Sequence, residues 1–150
     1  MKPFLVLAVL CVVAGCDSMA GAETRYLGVL LRNDPSYETI AAPDTVVAGR
    51  PFAAAVFTVG GGCFQQGDEE VVVGSRDAVI RPFDVFVDPG PGGACTEDLA
   101  YYPHAVVLAF GEPGVGTIRA IGSVAGGGFG PPPAGAPLVT VERTVVVVAP

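Results

Sequence analysis

The sequence predicts an all-β domain, on three observations. Gly occurs 21 times and Pro 14 times in 150 residues, which favours short segments joined by many turns. Charged residues make up only 15% of the chain, too few for the solvated faces of a helical domain of this size. Valine-rich and alternating segments recur between Gly/Pro turn signals at intervals of about eight to twelve residues, the cadence of an antiparallel sandwich. The length suits a single domain.

The chain opens with Met1-Lys2-Pro3 and an uninterrupted apolar run from Phe4 to Val13, then Ala14, Gly15 and Cys16. A short positive start followed by such a run is the layout of a secretory signal, and it is too short to span a bilayer. Val13-Ala14-Gly15-Cys16 resembles the lipobox of bacterial lipoprotein precursors. That resemblance implies cleavage after Gly15, a diacylglyceryl group on the Cys16 thiol, and anchorage of the exported protein to a membrane by its acyl chains. It makes residues 1–15 a signal peptide and leaves Cys11 in the discarded segment.

Residues 16–42 then read as the lipidated terminus and a tether. Asp17 to Thr24 is small and polar, as a spacer should be. Tyr26 to Leu31 is apolar and is read as a strand, closed by the turn signal Asn33-Asp34-Pro35-Ser36.

From residue 43 to residue 150 the β domain is expected. Its strands are read at Asp44–Ala48, Phe52–Val59, Glu69–Val73, Ala78–Arg81 and Phe83–Asp88, with Pro82 dividing the last two. His104–Phe110 and Val115–Ile121 read as a hairpin across Gly111-Glu112-Pro113-Gly114. Leu138–Val148 alternates Val139, Val141, Val145 and Val147 against Thr140, Glu142 and Thr144, with Arg143 alone interrupting the apolar face. Seven to nine short strands in about 110 residues is the count of an immunoglobulin-like β-sandwich, the alternative being a small closed β-barrel.

Charge and composition narrow the function. The formal net charge is −7, Lys2 is the only lysine, and such a surface repels phosphate backbones, so nucleic acid is a poor partner. Outside the N-terminus no apolar run approaches the ~18 residues of a membrane helix. After export, Cys63 and Cys95 remain as an even pair in an oxidising compartment, and a disulfide is the default. A metal site using the same thiols with His104 lacks short ligand spacing, so no metal and no cofactor is expected.

Catalytic candidates are few. His104 is the single histidine, read as a strand-end residue at the rim of the core, and Ser18, Ser36, Ser75 and Ser123 lie in no nucleophile-elbow context. Asp68-Glu69-Glu70 and Glu97-Asp98 lack the alternating oxygen spacing of a calcium loop. Gly126 to Gly130 contains no Gly-Lys-Ser and forms no phosphate loop. Tyr101 and Tyr102 cannot both face the core of one strand, so one is expected to anchor the fold and the other to be exposed.

The composition and motifs together predict a non-catalytic, lipid-anchored envelope protein that binds an envelope protein or glycan. Phe64, Tyr101, Tyr102 and His104 are the candidate contact residues. A structural accessory subunit, pairing through Leu138–Val148 as a free sheet edge, is the alternative. An enzyme or metal carrier centred on His104 is the weakest reading.

Overall fold

The computed structural model describes residues 21–31, 37–124 and 130–150. The lipobox and Cys16, the Asn33–Ser36 turn and Gly126-Gly127-Gly128 lie outside the described residues. The chain within them is all-β. Its strands are β1 (Glu23–Leu27), β2 (Ile40–Ala41), β3 (Thr45–Val47), β4 (Phe52–Gly60), β5 (Phe64–Val73), β6 (Asp77–Val87), β7 (Ala100–Leu108), β8 (Gly114–Ser123) and β9 (Leu138–Val148).

They form two sheets. The larger has six strands in the order β1-β6-β8-β9-β3, with β5 along the other side of β6; the smaller has three, in the order β2-β4-β7. Inward residues of both sheets meet in one core, with Val56, Leu108 and Phe110 packed against Ile80, Ile118, Ala120 and Val145. Burying side chains of this size contributes about 1.5–3 kcal/mol each, which is what holds the layers together.

Two pairings are parallel, β3 with β9 and β6 with β8, so the larger sheet is mixed. The connection between β6 and β8 passes through β7 in the opposite sheet. Val29 stitches the sheets at one corner: it bridges Val59 at the end of β4 and Ser123 at the end of β8.

Part of the stretch expected as a tether is folded. β1 pairs antiparallel with Phe83–Val87 of β6, and Val29 and Leu30 are buried. Alternation explains it: Tyr26 turns inward onto the Phe64 ring while Arg25 turns outward over Phe83. Tyr26–Leu31 therefore forms a strand only as far as Leu27, and the rest crosses from one sheet to the other.

Pro82 does not break β6. The ladder from β5 shifts register between Gln66 and Glu69, opposite Phe83 and next to the Glu69–Pro82 pair, and the position that lacks an N–H faces away from β5, as its carbonyl does. On the other side β8 ends at Ile80 and β1 starts at Phe83, and the Gly28 N–H fills the gap by donating to the Pro82 carbonyl at 2.8 Å.

The hairpin expected between residues 104–110 and 115–121 is absent. β7 pairs with β4, β8 pairs with β6 and β9, and the Gly111–Gly114 connection is an arch between sheets, held by Gly111 N–H donating to the Ser75 carbonyl. A four-residue link suits an arch as well as a hairpin, and each strand had an apolar face to bury from its own side. β9 is not a free edge along its whole length: β8 pairs it throughout and β3 covers Val146–Val148. Its inward Arg143 is matched by Glu38, Asp44 and the Ala42 carbonyl.

Candidate functional site

Cys63 and Cys95 form a disulfide, with Cα atoms 5.1 Å apart and 32 residues between them in sequence. The bridge ties the loop before β5 to the loop between β6 and β7, and Gly62 N–H adds a bond to the Thr96 carbonyl. Beside it, Tyr102 is the anchoring tyrosine. Its hydroxyl donates to the Phe64 carbonyl at 2.8 Å, and burial pushes the phenol above its ordinary range, with Asp84 and Asp98 adding to the shift.

Phe64 itself is buried, 8% exposed, between the rings of Tyr26 and Phe86. Neither Phe64 nor Tyr102 therefore presents a contact surface. Both close the disulfide end of the sandwich from within.

His104 is not at the rim. It stands in the middle of β7, fully enclosed, because its alternation partners Val106 and Leu108 face inward. Its Nε2 lies 3.1 Å from Asp84 Oδ1 on β6 and 3.1 Å from Thr58 Oγ1 on β4, and both partners are buried too. The other ring nitrogen faces Glu69 Oε2 at 3.8 Å, beyond hydrogen-bond reach, and has no partner.

Two features separate this cluster from a catalytic triad. A triad places its carboxylate and its hydroxyl on opposite ring nitrogens, whereas here both sit on Nε2. No open path leads to any of the three. The roof is Gly28: a Cβ there would stand 2.4 Å from Thr58 Cγ2 and 3.0 Å from Asp84 Oδ2, so only glycine allows the chain this close. Among the described residues no group of three or more His, Cys, Asp or Glu is placed to hold a metal ion. The cluster joins β4 and β7 of one sheet to β6 of the other through buried hydrogen bonds.

What faces solvent is different in kind. Alternation along β4 and β7 sends Ala53, Ala55 and Phe57 outward beside Val107, Ala105 and Pro103, and sets Val59, itself 3% exposed, beside Tyr101, in that register. β2 adds Ala41 opposite Ala55. None of these side chains carries charge. Val107 is 73% exposed and Tyr101 39%.

At one end of this face Tyr101 stacks on Tyr37, with ring centroids 4.9 Å apart and planes 24° apart. The pair walls a groove of about 330 Å³ that is floored by Phe57 and Val59 and flanked by Leu31, Thr39, Ala41 and the charged Glu38. At the side, Glu38 and Arg143 edge a shallow depression over Ala41, Ala53, Ala55 and Ala105.

Of the contact residues expected from the sequence, Tyr101 alone lies on this face; Phe64, Tyr102 and His104 lie beneath it or beside the disulfide. Tyr37 escaped notice because it falls in the expected tether. The signal for the face was present in Phe52-Ala53-Ala54-Ala55-Val56-Phe57, where apolar residues fill both alternations and no polar set marks a solvent side. No protein family, no curated protein and no solved structure matches this chain.

Proposed function

We propose that this chain is an exported, lipid-anchored envelope protein that acts by association rather than catalysis, through the outer face of the three-stranded sheet. One observation carries the reading. A chain of net charge −7 keeps β2, β4 and β7 free of outward charge, and leaves Val107 73% exposed on that face. Uninterrupted apolar surface on a small domain is the mark of an interaction site.

Export and anchorage rest on Val13-Ala14-Gly15-Cys16, and the Cys63–Cys95 disulfide fits an oxidising compartment. The enclosure of His104 supports association over turnover. Recognition of an apolar protein surface suits the Ala- and Pro-floored face, with the Tyr37–Tyr101 stack as its aromatic anchor.

The test has two arms. Fatty-acid labelling of cells is expected to mark the wild-type chain and to disappear in Cys16→Ser; label retained in that variant contradicts the anchor. A photo-crosslinking residue at Ala105 is expected to capture a protein, and a face that captures none contradicts the association reading.

A further inference from the structure

We propose that the disulfide end of the sandwich meets the lipid headgroup layer and holds the face of β2, β4 and β7 upright on the membrane. This orientation rests on the reading of Cys16 as the lipidated residue and adds to it which surface the lipid meets. Gly21 is the first described residue, and β1 begins two residues later, at Glu23. The five peptide links from Cys16 to Gly21 reach about 17 Å when fully extended.

The tether joins the fold at one end of the strands. Ala22 accepts a hydrogen bond from the Asp88 N–H at 3.1 Å, and Glu23 pairs with Val87, the last residue of β6. The same end holds Gly60 of β4, Ala100 of β7 and the Cys63–Cys95 bridge, and the Cys63 carbonyl accepts from the Val87 N–H. The opposite end carries Asp77 at the start of β6 and Glu112 in the arch, roughly 33 Å away along the strand. A domain inverted on its anchor would lift Gly21 by about that length, about twice what the tether spans. Inversion is therefore closed to the anchored chain. A tether running to residue 42 would have permitted every orientation, and the folding of β1, Val29 and Leu30 removes that freedom.

Surface chemistry favours standing on this end over lying on a side. Pro89 to Ala94 carries no charge, and Pro91 to Ala94 is exposed. Lying on the β1 edge would press Arg25 and its partners Asp68 and Glu70 against lipid and strip their water. Glu23, Asp88, Glu97 and Asp98 flank the uncharged loop, and residues 88–99 contain no Lys or Arg. The end therefore suits zwitterionic headgroups and is repelled by anionic ones. Tyr101 follows Ala100, so the Tyr37–Tyr101 groove is the part of the association face nearest the lipid, and a partner reaches it along the membrane plane.

The chain has no tryptophan, so a single introduced one reports alone. The experiment uses full-length protein produced in cells, carrying Ala94→Trp or Glu112→Trp and reconstituted in phosphatidylcholine vesicles with dansyl-labelled headgroups. Both positions are exposed, and an unchanged melting temperature for each variant confirms that the fold survives. Energy transfer to the headgroups is expected to be roughly threefold or more stronger from Ala94→Trp than from Glu112→Trp, because the two ends lie roughly 33 Å apart. Equal transfer from the two positions, stronger transfer from Glu112→Trp, or transfer from neither overturns the orientation. Intact mass separates that failure from loss of the anchor. An acylated chain with any of those three patterns removes the orientation alone; a chain without acyl mass removes the anchor and the orientation with it.

Discussion

The two sheets of this protein distribute polarity in opposite ways. The six-stranded sheet is charged outside, where Arg25 pairs with Asp68 and Glu70 and Arg119 pairs with Glu142, and mostly apolar inside, where Ala78, Ile80, Ile118 and Ala120 are buried. The three-stranded sheet is bare of charge outside and holds a polar pair, Thr58 and His104, inside. The first sheet also exposes Val72, Val115, Leu138 and Val146, but intersperses them with ion pairs. The second leaves apolar surface uncovered and polar groups enclosed, so each of its faces demands a partner. For the inner face that partner is Asp84, reached across the sandwich; for the outer face our proposal is that it comes from another molecule.

The largest expected effect comes from the enclosed side of that comparison. Asp84→Ala strands the imidazole of His104 and the Thr58 hydroxyl in a closed space, and is expected to cost about 3 kcal/mol of unfolding free energy in urea titration. A cost below about 1 kcal/mol would mean that the cluster is not a matched polar set.

Reduction of Cys63–Cys95 is expected to have an effect of the same size. Closing 32 residues restrains the unfolded chain by roughly 3–4 kcal/mol in the chain-entropy account, so the melting temperature is expected to fall by many degrees under dithiothreitol. An unchanged melting temperature would contradict that role.

Tyr102→Phe removes the bond to the Phe64 carbonyl and is expected to cost about 1 kcal/mol near neutral pH. It also changes the alkaline limb. Burial raises the folded-state pKa of Tyr102 above its unfolded value of 10.0, so the stabilisation is whole below pH 10.0 and is lost as pH rises through the folded pKa. The wild-type melting temperature is therefore expected to fall more steeply than that of Tyr102→Phe above that pH, and parallel curves would refute the assignment.

The smallest effect lies on the charged outer face. Arg119→Ala breaks a solvent-exposed pair with Glu142 and is expected to cost at most about 0.5 kcal/mol, and less in high salt. A larger cost would show that the outer charges of the six-stranded sheet are structural.

Much of the framework was legible in the residues themselves. Alternation identified β9 with its inward Arg143, the turn residues bounded β3 and β4, and the even cysteine pair gave the disulfide. The Tyr101–Tyr102 doublet implied one anchored and one exposed ring, and Tyr102 and Tyr101 take those places. Pairing was not legible, because strand patterns record which face is buried and not which neighbour is bonded. The arch after β7 and the bulge opposite Phe83 both depend on neighbours distant in sequence. The depth of His104 was hidden for the same reason: its partners come from β4 and β6, 46 and 20 residues away.

The central claim is that the two outer faces differ in purpose. Val107 and Val115 are matched probes of it, 73% and 66% exposed on the three-stranded and six-stranded sheets respectively. Val107→Glu and Val115→Glu add the same charge and remove the same side chain, and crosslinking from Ala105 in membranes reads the outcome. Loss of the protein adduct in Val107→Glu, with the adduct intact in Val115→Glu and both melting temperatures unchanged, is the predicted result; equal adduct yield in the two variants would contradict it.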